Sequence, residues 1–263
     1  MAAGKRQPVI VDGQPFAAGV FLVDKPAGIS SFAVVRLVRR LLGMKKVGHA
    51  GTLDPFATGL LVVCAGRPAT RMIDRFMAGH KVYEACLQLG VETDTQDPEG
   101  EVVRRRPVPL LSLDRIEDCL AGFVGTRMQA PPPYSAAKFR GKPLYHYARQ
   151  GILITKEPRE IQVFSLHCRD YDQKRQQLHV RVVCSRGTYV RVLAAEIGEE
   201  LGCGAHLIGL RRTVSGCFSV ENAVPVDLLQ EKDGLARLLA GMITVAEARA
   251  FLSGEPSPEL ADG

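Results

Sequence analysis

Hydrophobic and polar positions near the start of the chain predict a strand, a turn and a helix. Val20–Val23 form a short apolar run that predicts a strand, and a Lys-Pro-Ala-Gly turn follows it. The next segment, SSFAVVRLVRRLLG, places four apolar residues on one helical face: Phe32, Val35, Val38 and Leu42. A serine can cap this helix at its start, and Gly43 can end it.

The rest of the chain contains both strand-like and helix-like patterns of apolar residues. Strands are predicted over residues 60–66 and 81–90, with helices over 69–77 and 113–125 and a hairpin turn at 97–100. Near the C-terminal third, LHVRVVCSRGTYVRVLAAEIGEELG predicts a strand, a tight turn and a helix capped by Thr188, with Gly202 at its end. Because strands and helices follow no regular βαβ rhythm, we expect an α+β fold.

Composition narrows the class of protein. The 263 residues suit one large domain or one domain with a small appendage, and no apolar run is long enough to span a membrane. The seven cysteines are scattered without a CxxC pair. We therefore expect reduced core cysteines in a cytoplasmic protein, with no signal peptide and no membrane association.

The positive charge is unevenly distributed along the chain. The chain has a net charge of +6 and a pI near 9.0, and residues 126–162 carry seven lysines and arginines against two glutamates. Tyrosines are interleaved with these cations, a combination that suits an RNA backbone with splayed bases. A solvated basic loop has the same composition, so both interpretations stay open. The candidate RNA contacts are Lys138, Arg140, Lys142 and Arg149.

A glycine-rich segment, VGHAGTLDPFATGLLVVCAG, contains one candidate for chemistry. Asp54 precedes a proline, so its backbone should be extended and its carboxylate should project from the loop. The glycines allow another backbone or a ligand to approach closely, and the following strand is a rigid base. Asp-Pro and Gly are also ordinary turn residues, and His49 beside them could be one too.

A second candidate lies in SRGTYVR, where Tyr189 and Arg191 would occupy the first turn of a helix. Such a position favours anions, although both residues could equally serve packing and solvation. No HExxH, GxSxG, P-loop or GxGxxG pattern is present, and the histidines lack metal-ligand spacing. We therefore predict neither a metal nor a cofactor.

Several motifs together resemble the TruB-type pseudouridine synthases. GHAGTLDPFATGLL is similar to the family's catalytic motif, and the likeness runs in the family's order over about residues 19–225. The other matching motifs are FLVDKPAGISS, KVYEACLQLGVETDTQDPEG, PPPYSAAKFRGKPLYHYARQG, CSRGTYVRVLAAEIGEELGCGAH and LIGLRRTVSG. The resemblance implies a pseudouridine synthase fold, with a mixed, largely antiparallel central sheet flanked by helices and loops, and an RNA-binding insertion.

The resemblance also implies a reaction and a set of site residues. The family's bacterial members flip out the T-loop uridine of tRNA, U55, detach its uracil and reattach it through C5, without a cofactor. Asp54 matches the catalytic aspartate. Tyr83 matches an aromatic residue that stacks on uracil, and Arg191 an arginine that pairs with the catalytic carboxylate. The remaining matches in or beside the family's site are Lys25, His49, Asp94, Tyr189 and Leu210.

From the resemblance we expect a catalytic domain over residues 1–226, with the insertion at about 126–162 gripping RNA. Residues 227–263 form a short tail, too short for the PUA domain that the family usually carries. Ala50 replaces a threonine that many members have. The expected partner is the T-arm of tRNA, bound by a monomer with no obligatory protein partner.

Three alternatives to a tRNA-modifying enzyme remain. The first is a tRNA-folding chaperone that uses the same surface, and the second is a subunit of an RNA-guided enzyme acting on ribosomal RNA. The third is a glycosidase. A glycosidase needs two carboxylates across the scissile bond, and only Asp54 lies in a segment suited to holding a catalytic carboxylate.

Overall fold

The structure is a computed structural model that describes residues 9–11 and 13–253. Its strands are β1 (Ile10–Val11), β2 (Gln14–Pro15), β3 (Gly19–Lys25), β4 (Val47–His49), β5 (Thr58–Ala65), β6 (Lys81–Leu89), β7 (Val91–Thr93), β8 (Val102–Arg105), β9 (Gly125–Gln129), β10 (Lys138–Phe139), β11 (Lys142–Pro143), β12 (Arg159–Asp172), β13 (Gln177–Cys184), β14 (Ala205–Ser215), β15 (Phe218–Ser219), β16 (Val224–Pro225) and β17 (Met242–Ile243). Its helices are α1 (Ser31–Leu42), α2 (Arg67–Thr70), α3 (Ile73–Ala78), α4 (Leu113–Ala121), α5 (Leu144–Ala148), α6 (Val190–Glu200), α7 (Val226–Gln230), α8 (Gly234–Ala240) and α9 (Val245–Ser253).

The described chain divides into two compact units. Unit 1 contains the residues up to 79 together with those from 212 onward, and unit 2 contains residues 80–211. In unit 1, β3 pairs antiparallel with β5 and parallel with β16, and β4 pairs with the C-terminal half of β5. The part of β14 that belongs to unit 1 lies beside β5, where the Arg212 side chain donates to the Leu60 carbonyl. This sheet is therefore mixed, as predicted.

Both faces of the unit 1 sheet are covered. Phe21 and Leu61 point to one face, where α1, α7 and α8 contribute the apolar partners, and Val20 and Leu60 point to the other. A strand buried on both faces is apolar at successive positions rather than at alternate ones. This is why LLVVCAG in β5 is continuously hydrophobic.

Helix α1 has the ends that its sequence predicts. The Ser30 hydroxyl accepts from the amide of Ala33, and Gly43 ends the helix in the left-handed conformation at φ +60°. The apolar face is different from the prediction at one position, because Phe32 is half exposed while Val35 and Val38 are buried. Phe32 packs against arginine side chains of the same helix instead of the core.

Unit 2 is built on antiparallel strands in the order β6, β13, β12 and β9. The part of β14 in this unit lies beside β6, and helices α4 and α6 pack on the sheet. The hairpin predicted around residues 97–100 is confirmed, because β7 and β8 pair antiparallel on either side of it.

The start of α6 corrects one prediction. Thr188 does not cap the helix: its hydroxyl donates to the carbonyl of Ser185, and Tyr189 occupies the cap position without a side-chain bond. The helix begins one residue later than predicted, so the Thr188 hydroxyl lies beside the preceding turn, where it serves as a donor.

Two segments singled out in the sequence have defined surroundings. The basic insertion is closed at its base by pairing between β9 and β12, with Gln129 opposite Arg159. Residues after 226 belong to unit 1, where Leu229 and Leu238 are fully buried with α1, and residues 254–263 of the predicted tail lie outside the described residues. None of the described helices is both long and apolar enough to cross a lipid bilayer.

Candidate active site

Asp54 lies in the loop between β4 and β5 of unit 1, and its side chain is half buried. Its carbonyl accepts from the amide of Ala57 at 3.1 Å, so the Asp-Pro sequence forms a tight turn. On the N-terminal side, the buried Ser31 hydroxyl donates to the Leu53 carbonyl at 2.9 Å and accepts from the Leu53 amide at 2.8 Å. A helix side chain therefore fixes the peptide that leads into Asp54.

Lys25 fixes the other side of Asp54. Its side chain is fully buried, and its amine donates to the carbonyls of Pro26, Ile29 and Pro55 at 2.9, 2.8 and 3.1 Å. The amide of Gly28 also donates to the Pro55 carbonyl at 2.9 Å. Carbonyl oxygens compensate for part of the cost of burying the ammonium group. This position favours a role for Lys25 in shaping the loop rather than in touching a substrate.

Arg212 is a third buried support, and it is not among the site residues predicted from the sequence. Its guanidinium donates to the carbonyls of Gly51 at 3.1 Å and Leu60 at 2.8 Å, on the two sides of the loop. Gly59, at φ +100°, faces the Arg212 backbone so closely that a Cβ there would lie 2.3 Å from its carbonyl oxygen. The glycine thus allows β14 to approach, which is one of the two uses predicted from the sequence.

His49 lies at the end of β4, opposite Val63 of β5, and so precedes the loop directly. Burial lowers the pKa of its imidazole below the usual 6.5, and the positive charge of Arg212 lowers it further, while a hydrogen bond with the Gly51 backbone partly opposes both. The ring is therefore neutral at neutral pH.

In unit 2, Arg191 in the first turn of α6 is held in a buried ion pair. Its guanidinium contacts the carboxylate of Asp97 at 3.1 Å, and both side chains are about 4% exposed. It also donates to the carbonyls of Thr95 and Tyr134. Bonds to two chain segments, the β7–β8 hairpin and Tyr134, fix the direction of this guanidinium.

The two aspartates of the β7–β8 hairpin have different surroundings. Asp97 is buried, and besides pairing with Arg191 it accepts from the Thr95 hydroxyl at 2.5 Å and the Glu99 amide at 3.0 Å. Asp94 is exposed and accepts from the Glu101 amide at 2.9 Å. The family resemblance indicated Asp94 as a site residue and not Asp97, although DTQDPEG contains both.

The aromatic and apolar candidates of unit 2 lie on neighbouring elements. Tyr83 is on β6, opposite Val182, and is 8% exposed. Tyr189 begins α6, where its backbone exchanges two hydrogen bonds with the Gln129 side chain, at 2.7 and 3.2 Å. Leu210 is half buried near the end of the unit 2 part of β14. The structure thus provides an aromatic face, a helix start and an apolar side chain within one unit.

The insertion presents its cations to solvent. Lys138, Arg140, Lys142 and Arg149 are all exposed. The first three lie in and around the small β10–β11 hairpin, and Arg140 stacks over the ring of Phe139 at 5.3 Å. Among residues 9–11 and 13–253, no group of three or more His, Cys, Asp or Glu side chains is placed to hold a metal ion.

Solved structures share this fold. A chain from the crystal structure of a Cbf5–Nop10–Gar1 complex matches 89% of this protein with a TM-score of 0.66 and 27% identity. A chain from an H/ACA RNP bound to a substrate RNA containing 2′-deoxyuridine matches with a TM-score of 0.63 and 25% identity. This protein spans 62% and 61% of those chains. The predicted α+β pseudouridine synthase fold is therefore confirmed.

Curated relatives are closer in sequence. The tRNA pseudouridine synthase B of Desulfotalea psychrophila is 58% identical over 246 residues, which cover 92% of this chain and all of that protein. The enzymes of the same name from Bordetella parapertussis and Dechloromonas aromatica are 45% and 46% identical, over 91% and 72% of their lengths.

Two family descriptions match consecutive parts of the chain. Residues 39–190 match the N-terminal domain of the TruB family pseudouridylate synthases, and residues 191–247 match the C-terminal domain of tRNA pseudouridylate synthase B. The first match includes the loop that holds Asp54, and it begins within α1. Together with the identity to the curated relatives, these matches show that the protein belongs to the TruB family of pseudouridylate synthases.

Proposed function

We propose that this protein isomerises the T-loop uridine of tRNA, U55, to pseudouridine. The observation that carries the proposal is the Asp54 loop, in which a carboxylate in the family's catalytic motif is bracketed by hydrogen bonds from the buried side chains of Lys25, Ser31 and Arg212. The 58% identity to a tRNA pseudouridine synthase B supports tRNA as the substrate. A uridine in a folded loop has to leave its stack before a side chain can reach it.

Asp54 is the proposed catalytic carboxylate. It can attack the sugar, attack the base or take a sugar proton, and each route ends in the same exchange of bonds. The N1–C1′ bond breaks, a C5–C1′ bond forms, the C5 hydrogen leaves as a proton, and N1 gains one. Since this balance involves no oxidant and no hydrolysis, the positioned carboxylate is the main chemical requirement.

The unit 2 residues are proposed to bind the flipped nucleotide. Tyr83 offers an aromatic face for stacking, Leu210 an apolar contact, and Tyr189 a ring and hydroxyl at the start of α6. Arg191 is proposed to favour the ionised form of the catalytic carboxylate. In this proposal Asp97 is a positioning residue, because it orients the Arg191 guanidinium.

Substitution of Asp54 tests the proposal. Asp54→Asn is expected to abolish pseudouridine formation on a tRNA transcript while leaving tRNA binding within a few-fold of the wild type. Asp74→Asn is the matched control, because Asp74 is an exposed aspartate of the same unit. Near wild-type turnover by Asp54→Asn would show that Asp54 is not the catalytic carboxylate.

The insertion is proposed to grip the RNA backbone through Lys138, Arg140 and Lys142, with Arg149 nearby. Replacing the first three by Gln should weaken tRNA binding and flatten its salt dependence, because each phosphate contact contributes about 0.7–0.9 to the slope of log K against log salt. An unchanged slope would remove the insertion from the RNA interface.

The proposed setting is a cytoplasmic enzyme that acts as a monomer without an obligatory protein partner. The likeness to a Cbf5–Nop10–Gar1 complex keeps an RNA-guided enzyme as the competing function, although identity to those chains is about half that to the tRNA enzyme. Mapping pseudouridine in cellular RNA with and without the protein separates the two. Loss confined to tRNA supports the proposal, and loss confined to ribosomal RNA contradicts it.

A further inference from the structure

Unit 1 carries a basic surface that the proposed active site does not use. Residues 30–79 contain eight lysines and arginines against two aspartates, an excess as large as that of the insertion. Part of it lies on the C-terminal half of α1 and in the turn that follows. Arg36, Arg40, Lys45 and Lys46 are exposed there and are called the α1 basic surface below.

The α1 basic surface surrounds a groove of about 400 Å³. The groove is lined by Arg36, Arg39, Arg40, Gly43, Met44 and Lys45. The opposite face of α1 is locked in the core by side chains such as Val35 and Val38, so the cations project from a rigid element. The guanidinium groups of Arg36 and Arg39 lie 5.3 and 5.4 Å from the ring of Phe32, which limits their freedom.

The sequence around this surface contains no acidic residue. No Asp or Glu occurs between residues 25 and 53, and within the described parts of the chain no salt bridge joins Arg36, Lys45 or Lys46 to an acidic side chain. Arg39 has a structural bond, to the Val47 carbonyl at 2.8 Å. A cluster of like charges raises the local potential and favours a polyanion over a neutral or cationic partner.

The surface is within reach of an RNA bound at Asp54. Lys46 directly precedes β4, and the strand rise of about 3.3 Å per residue places its Cα roughly 10 Å from that of His49. Both residues belong to unit 1, and the strand between them is paired with β5. The Lys46 carbonyl also accepts from the Gly66 amide, at the end of β5 away from Asp54, so an RNA held at the Asp54 loop reaches Lys45 and Lys46 by running the length of β5, roughly 25 Å.

We propose that the α1 basic surface binds the phosphate backbone of the tRNA whose uridine is modified at Asp54, an inference that rests on the proposed function. Arginines on a rigid helix, with lysines in the turn after it, suit phosphates, which need charge at defined spacing and carry no sequence information. The contribution is to affinity and to the position of the RNA, and the chemical step does not depend on it.

The experiment compares two triple variants of the full chain. Arg36→Gln with Lys45→Gln and Lys46→Gln removes three charges from the surface. The control, Arg169→Gln with Lys174→Gln and Lys232→Gln, removes three exposed charges elsewhere. Affinity for a tRNA transcript is measured from 50 to 200 mM salt, turnover is measured at saturating tRNA, and thermal unfolding verifies that both variants are folded.

Three phosphate contacts contribute about 2 to the slope of log K against log salt. The fall in affinity between 50 and 200 mM salt should therefore be roughly 16-fold smaller for the surface variant than for the wild type. Its affinity at 50 mM should fall at least tenfold, with turnover at saturation unchanged. A surface variant with the affinity and slope of the control would overturn the inference, and so would one that binds normally but turns over slowly. Failure of the proposed function is separate, because it would appear as a wild-type protein that forms no pseudouridine.

Discussion

Replacing Ser31 by alanine tests whether the position of Asp54 depends on distant side chains. The buried Ser31 hydroxyl makes two hydrogen bonds to Leu53, at 2.8 and 2.9 Å, and the substitution leaves the Leu53 amide and carbonyl without this partner. An unsatisfied buried polar group costs about 1–3 kcal/mol, so we expect a loss of about 2–6 kcal/mol for the two. A shift of about 1 Å in the adjacent Asp54 should also lower turnover about 10- to 100-fold.

Ser30→Ala is the control, because it makes the same chemical change one residue earlier. The Ser30 hydroxyl caps α1 through the Ala33 amide, so its loss should cost about 1 kcal/mol and leave turnover unchanged. Stability is measured by urea unfolding and turnover by release of tritium from C5 of the uridine. If Ser31→Ala turned over like Ser30→Ala despite its lower stability, the bonds to Leu53 would not control the catalytic carboxylate.

Three further substitutions have defined outcomes. Asp97→Ala removes one partner of a buried pair with Arg191 and should lower the free energy of unfolding by about 3–5 kcal/mol in urea titrations. Gly59→Ala places a Cβ 2.3 Å from the Arg212 carbonyl oxygen at φ +100°, so a loss of at least about 2 kcal/mol is expected in the same assay. Because the pKa of His49 is lowered on folding, its contribution is complete above pH 6.5 and declines as the pH falls below that value; His49→Gln should flatten this decline in stability measured against pH.

Each of these three has a control in the same chain. Asp94→Ala removes an exposed carboxylate, Gly28→Ala adds a Cβ at φ +82° with nothing within 4 Å, and His146→Gln removes an exposed imidazole. We expect Asp94→Ala and Gly28→Ala each to cost less than the corresponding test variant, and His146→Gln to leave the pH dependence intact. Equal effects in any test and control would contradict the mechanism assigned to that test residue.

Local sequence patterns predicted much of the fold because the forces that set those elements act over a few residues. Ser30 and Gly43 bound α1 through bonds within one helical turn, and β5 is continuously apolar because both of its faces are covered. Thr188 was assigned wrongly because residue type alone does not fix the residue at which a helix begins: α6 starts one position later, and the Thr188 hydroxyl donates to Ser185 in the turn before it.

The supports of the site were harder to predict because their partners are distant in sequence. Arg212 bonds to a carbonyl 161 positions earlier, and Arg191 to a carboxylate 94 positions earlier. Nothing in GLRRTVSG indicates which of its two arginines is buried. In the same way, the residues around the two aspartates of DTQDPEG do not indicate which one is buried. Only the packing of β14 against β5 and of the β7–β8 hairpin against the Arg191 guanidinium distinguishes them.

The Asp54 loop shows why a catalytic turn can be rich in glycine and still be rigid. Gly51 and Gly59 adopt positive φ values that other residues disfavour, which bends the chain around Arg212 but leaves few side chains to hold it. The rigidity comes from buried donors on other elements, Ser31 and Arg212, which bind main-chain carbonyls rather than the Asp54 side chain. Because those carbonyls exist whatever the loop sequence, the position of the turn is set by its neighbours.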